Sequence, residues 1–255
     1  MLRPRITPCL LIKNNGLVKT INFENPKYVG DPINAVKIFN EKEADELIVL
    51  DIDATIQNVE PNYQLIKNLA VECRMPLCYG GGVTSVEQVT KIIGLGVEKV
   101  ALSSAIINDS NLISRASEMV GSQSIVVVID VKKTKLLGQY IVCSHNGVNK
   151  TKLEVSEFAK KVESLGAGEI VLNSIDCDGT MNGYDINLVK RVRNAVNIPL
   201  TVLGGAGSHE DIHTLVKQFG IIGAAAGSLF VFKGKYRAVL INYPNQMQRD
   251  KIILN

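Results

Sequence analysis

The sequence predicts a (β/α)8 barrel built from two similar half-barrels, on three observations. Eight short β-branched or apolar runs recur along 255 residues, helix-like stretches separate them, and motifs of the first half return in the second. Continuous apolar runs suit strands buried on both faces, as in a parallel sheet covered by helices. Eight such units in about 250 residues match a barrel.

In chain order the predicted strands are Thr7–Ile12, Glu46–Ile52, Pro76–Tyr79, Lys99–Leu102, Ile125–Val131, Glu169–Ile175, Leu200–Leu203 and Gly223–Ala226. Helical spacing of apolar residues is plainest over Val86–Leu95, Val155–Leu165 and Ile212–Phe219. Ser85 and Ser208 are predicted N-caps, with Glu87 and Glu210 in the first turn, where the helix dipole favours an acidic side chain. No Pro/Gly/Ser-rich linker interrupts the chain. One domain over residues 1–255 is expected, with half-barrels at about 1–120 and 121–240.

The internal repeat is specific. LDIDAT at Leu50 echoes IDCDGT at Ile175, which sets Asp51 opposite Asp176, 125 residues on. PLCYGGGVTSVEQV from Pro76 echoes PLTVLGGAGSHEDI from Pro199, which sets Gly80 opposite Gly204 at an offset of 124. Ser103-Ser104 then falls opposite Gly227-Ser228 at the same offset. A duplicated half-barrel places equivalent loops on opposite sides of one mouth.

Composition narrows the function classes. The chain is 46% hydrophobic and 21% charged, and its 28 Lys and Arg against 25 Asp and Glu leave a net charge of +3. That balance, scattered along the chain, argues against a nucleic-acid or membrane-surface partner. No apolar run reaches the roughly 20 residues of a membrane span, and the N-terminus lacks a secretory pattern, so a cytoplasmic protein is expected. Cys9, Cys73, Cys78, Cys143 and Cys177 form no metal or disulfide spacing and read as reduced thiols. His145, His209 and His213 form no metal motif, so neither a metal nor a cofactor is expected.

Active sites of such barrels lie at the C-terminal ends of the strands. The loops there are rich in small residues: Gly80-Gly81-Gly82, Ser103-Ser104, Asp178-Gly179-Thr180, Gly204-Gly205-Ala206-Gly207 and Gly227-Ser228. Glycine lets backbone N–H groups approach an anion, and helix N-termini favour one. Tight turns alone would also use these glycines. Their pairing across the repeat favours two phosphate cradles facing each other, suited to a ligand with a phosphate at each end. Gly82, Ser103, Ser104, Asp178, Gly179, Gly205, Gly227 and Ser228 are the candidate contacts, with Lys19 counted among the substrate-binding residues.

RITPCL, INFEN with GDP at Gly30–Pro32, CYGGGV, GAGEI with IDCDGTMNGYD, and LGGAGS together resemble the cyclase subunit of imidazole glycerol phosphate synthase, from Arg5 to about Phe232. The resemblance implies a barrel that receives ammonia from a glutaminase docked at its N-terminal face. Ammonia would then meet a bis-phosphorylated ribulosyl aminoimidazole carboxamide nucleotide, giving imidazole glycerol phosphate and aminoimidazole carboxamide ribotide. It assigns an ammonia gate to Arg5, Glu46, Lys99 and Glu169, each at the start of a predicted strand. A structural salt-bridge cluster is the other use of those charges.

The family uses two aspartates as general acid and base, at the ends of the first and fifth strands. Asp130 in VVVIDVKK fills the second position. At the first, CLLIKNN aligned through Lys13 and Lys132 sets Leu11 opposite Asp130, and leucine transfers no proton. SHNGVNKTKL also carries Lys152 where the family has glycine after threonine. Two roles follow from the resemblance: a cyclase subunit of histidine biosynthesis, or a paralogue that keeps the ammonia conduit and serves surface-polysaccharide amidation. A barrel that only activates its glutaminase is a third.

Overall fold

The computed structural model describes residues 3–134 and 138–254; Met1, Leu2 and Asn255, the ends of the predicted domain, lie outside them. Eight parallel strands close a barrel: β1 (Arg5–Lys13), β2 (Leu47–Asp51), β3 (Leu77–Gly80), β4 (Lys99–Leu102), β5 (Ile125–Lys133), β6 (Glu169–Ser174), β7 (Leu200–Leu203) and β8 (Gly223–Ala226). Each pairs in parallel with the next, and β8 returns to β1 with Arg5 opposite Gly223. All eight predicted strands are present. Only their ends shift, by one or two residues.

Side chains alternate between two cores, because successive strand residues face opposite ways. Ile6, Leu10 and Ile12 of β1 join the large outer core under the helices, while Cys9 and Leu11 join the barrel interior. That interior is filled by small and branched residues such as Cys78, Ala101, Val128, Val171 and Ala225. Thr7 is fully buried, and its hydroxyl has no hydrogen-bond partner among the described residues.

The helices cover the outer face through apolar stripes. Val86–Gly94 buries Val89 and Ile92, Val155–Ser164 buries Phe158 and Val162, and His209–Phe219 buries Ile212 and Leu215. Both predicted caps form. Ser85 accepts from the Gln88 N–H, and Ser208 makes a reciprocal capping box with Asp211.

Two hairpins were not legible as strands. Gly16–Ile21 runs antiparallel to β1 and pairs with Glu24–Gly30, and Tyr140–Ser144 runs antiparallel to β5 and pairs with Asn149–Glu154. Their outer strands are exposed and interleaved with Lys, Asn and Glu, so they lack the buried apolar run that marks the barrel strands. Each hairpin rises from the equivalent end of its half, above the mouth. Past the last barrel strand, a short pair, Phe232–Lys233 with Ala238–Val239, precedes helix Gln246–Leu254.

Candidate functional site

The carboxyl ends of the strands surround a cavity of about 290 Å³. Its first-half wall includes Gly82, Ser103 and Ser104; its second-half wall includes Asp130, Asp178, Gly227 and Ser228. Lys19 reaches in from the first hairpin. Gly179 and Gly205 line a smaller adjoining cavity of about 20 Å³, which shares Asp178, Gly227 and Ser228 with the main one. The loops are thus on one face, and the sequence-derived candidates split between two connected hollows.

Two glycines are set by geometry. Gly82 has φ +71°, a left-handed conformation that L side chains rarely adopt, and a Cβ there would also strike the Val59 carbonyl. At Gly227 a Cβ would occupy the space taken by the Lys19 Nζ. Lys19 is buried and donates from Nζ to the Cys9 carbonyl at 2.6 Å. Burial pulls its pKa down, while Asp178 favours its charge.

Asp130 lies on β5 with its Cα paired to that of Asn173 on β6, and the Asn173 amide donates to Asp130 Oδ1 at 3.0 Å. Burial pushes the Asp130 carboxyl up to about 7; the Asn173 amide opposes the shift and the Asp178 charge adds to it. A carboxyl titrating there is suited to exchange protons near neutral pH. Asp178 accepts from Thr20 Oγ1 at 3.0 Å, and burial raises its pKa as well.

The matching place in the first half is apolar. Leu11 pairs in register with Leu50, and both line the cavity. Asp51, one residue on, also lines it, with Oδ1 accepting the N–H groups of Asp53 at 3.0 Å and Ala54 at 3.2 Å. Burial raises the Asp51 pKa against those bonds.

At the opposite end, strand starts bring four charges into a closed ring. Arg5 contacts Glu46 at 2.9 Å and Glu169 at 2.6 Å, and Lys99 contacts Glu46 at 2.5 Å and Glu169 at 2.8 Å. Thr201 Oγ1 donates to Glu169 at 2.6 Å. Burial opposes the charges of Arg5 and Lys99, yet the two glutamates outweigh it and raise both pKa values. Glu169 is held below its ordinary value against burial by Arg5 and Lys99. Between the ring and the mouth lies the interior of small and branched side chains.

The residues that motif reading left out include Asn173 beside Asp130 and two from the second hairpin. His145 and Asn146 line the main cavity, both at positive φ, 52° and 54°. The run His145-Asn146-Gly147 is a turn signal, which could have placed them at a hairpin tip but not over the mouth. His213 instead meets the Ile252 carbonyl at 3.0 Å. Among the described residues, no three His, Cys, Asp or Glu side chains are grouped to hold a metal, and all five cysteines are free. No helix among them is long and apolar enough to cross a membrane.

Comparison with known proteins agrees with this architecture. The family described as "Histidine biosynthesis protein" matches residues 5–237. A Leptospira borgpetersenii protein provisionally named imidazole glycerol phosphate synthase subunit HisF is 56% identical over 252 residues, covering 99% of each chain. A Vibrio vulnificus (strain YJ016) protein with the same provisional name, as hisF3, is 57% identical over 254 residues, covering 99% of this chain and 97% of its own. The imidazole glycerol phosphate synthase subunit HisF of Sulfurisphaera tokodaii is 43% identical over 217 residues, covering 85% of this chain and 86% of its own. With a closed barrel, a small-residue mouth and a match over most of its length, this chain belongs to the histidine biosynthesis protein family.

Proposed function

We propose that this chain is an ammonia-using cyclase subunit of the imidazole glycerol phosphate synthase type, working with a glutaminase at its N-terminal face. Its substrate is the bis-phosphorylated ribulosyl aminoimidazole carboxamide nucleotide. The observation that carries this reading is the placement of Asp130, a carboxyl titrating at about 7, in a cavity at one end of a barrel whose other end bears a ring of four paired charges. In this role the ring of Arg5, Glu46, Lys99 and Glu169 gates ammonia into the barrel interior. Ser103, Ser104 and Gly82 hold one phosphate, and Gly179, Gly205, Gly227 and Ser228 hold the other. Lys19 and Asp178 orient the ligand between them. Asp130 gives a proton to the oxygen of the carbonyl that ammonia attacks.

Leu11 beside Leu50 favours a second reading, in which cyclisation is lost and ammonia passes to another acceptor, such as a surface-polysaccharide sugar. Ammonium salt and the ribulosyl nucleotide, added to the purified chain, separate the two. Formation of imidazole glycerol phosphate supports the first. Tight nucleotide binding without product supports the second. Glutamine hydrolysis by the partner, measured with and without this chain, tests the docking: stimulation is expected, and no effect on any class-I glutaminase of the same genome would refute it.

A further inference from the structure

Where the second half has Asp130, the first-half wall has no carboxyl at the end of its first strand. Leu11 and Leu50 are apolar, and Asp51 Oδ1 is held by two backbone N–H groups. The second hairpin reaches across to that wall. Its tip joins Tyr140–Ser144 to Asn149–Glu154. The His145 N–H donates to Ser104 Oγ at 3.0 Å, and Asn146 Nδ2 donates to the Ile52 carbonyl at 2.8 Å. Ile52 in turn donates its N–H to the Ile12 carbonyl at 3.0 Å, next to Leu11. A loop of the second half therefore sits on the β2 and β4 ends of the first.

His145 lines the cavity from this tip. Its Nδ1 is 3.0 Å from Ser144 Oγ and 3.3 Å from the Asn149 amide nitrogen, so that nitrogen is engaged by the protein. Nε2 has no protein partner among the described residues and is the ring nitrogen left to exchange a proton with a ligand. The other titratable groups on the cavity wall have protein partners, Lys19 in Cys9, Asp178 in Thr20, Asp130 through Oδ1 in Asn173 and Asp51 through Oδ1 in its own turn, while Cys9 is buried; the second oxygen of Asp130 is left to serve as the acid.

We propose that His145 is a second catalytic residue of the cyclisation, acting from the second half where Leu11 leaves the first half without a carboxylate. This rests on the cyclase reading above. In the addition step the ammonia lone pair forms a C–N bond to the substrate ketone carbon, and the carbonyl π pair moves to oxygen. That oxygen takes the proton of the Asp130 carboxylic acid. The new ammonium nitrogen gives one proton to Nε2 of His145, so carboxylate and imidazolium form together and charge balances.

The test is ammonia-dependent turnover of the full chain, unsubstituted and as His145→Asn. Asparagine adopts the φ of +52° found here, so the turn is kept while the titrating group is lost. A fall in kcat of about 10²-fold or more, with KM little changed, is expected. His145→Gly suits the same φ, and imidazole in the buffer should restore part of its rate. In a Leu11→Asp background the loss on His145→Asn should shrink, because a carboxylate again serves the first half. Turnover that His145→Asn leaves unchanged, with no rescue of His145→Gly by imidazole, overturns the proposal alone. No cyclisation by the unsubstituted chain overturns the cyclase reading and this proposal with it.

Discussion

Leu11 sits beside Leu50 across β1 and β2, while Asp130 sits beside Asn173 across β5 and β6, at corresponding places in the two halves. The backbone arrangement is shared: each strand pair runs parallel and each long strand continues into an antiparallel hairpin. The chemistry is not. In the second half a buried carboxyl has an amide partner and titrates at about 7. In the first half two leucines pack and hold no proton. At the barrel's other end the halves stay alike, with Glu46 and Glu169 each binding Arg5 and Lys99. Buried charges need mutual pairing to survive, so changing one member of that ring leaves an excess of the opposite charge on the rest. A carboxyl at the mouth with a single amide partner carries no such constraint. The two halves therefore match where their charges are coupled and differ where a carboxyl stands with one amide.

The sharpest way to break the comparison is at Asp130. Asp130→Asn should lower ammonia-dependent turnover by about 10²–10⁴-fold while nucleotide binding persists, measured by steady-state assay and calorimetry. The same variant has a stability signature. The folded pKa of about 7 lies above the ordinary 3.8, so the native state binds the proton more tightly than the unfolded chain. Wild-type stability should therefore fall relative to Asp130→Asn as pH rises from about 4 to about 7, and then level off, which urea melts across that range would register. A difference that stays constant with pH would contradict the raised pKa.

Next in size is the ring. Glu169→Leu leaves Arg5 and Lys99 to share Glu46 alone and takes the acceptor from the Thr201 hydroxyl, and should cost about 3–5 kcal/mol in denaturant unfolding. Glu46→Leu should cost about 1 kcal/mol less, since Glu46 lacks the threonine bond. Equal losses would mean that the two halves are energetically alike at the base.

The smallest expected effect sharpens the contrast at the mouth. Leu11→Asp should raise cyclase turnover by about ten-fold. Leu11→Asp with Leu50→Asn transplants the second-half pair and should exceed the single change, because the amide holds the new carboxyl as Asn173 holds Asp130. A double variant slower than wild type would show that the first-half wall serves packing alone.

Eight barrel strands were legible because each is a short apolar run, a signal that depends only on neighbours along the chain. The Ser85 and Ser208 caps were legible for the same reason. Ring residues were legible once the resemblance supplied their motif, and their positions at strand starts made convergence a consequence of closure. The repeat also located Leu11 before any geometry did. Long-range pairing decided the rest. The hairpins Gly16–Gly30 and Tyr140–Glu154 carry exposed polar residues, so only their pairing onto β1 and β5 makes them strands. The pKa of Asp130 depends on burial and on Asp178, which lies 48 residues away in sequence and meets it only across the mouth. His145 reads as an ordinary turn residue until the hairpin tip lands on Ser104 of the opposite half. Local pattern fixes which segments become strands; proton affinity and the residues that share a cavity follow from distances between segments, which exist only once the barrel is closed.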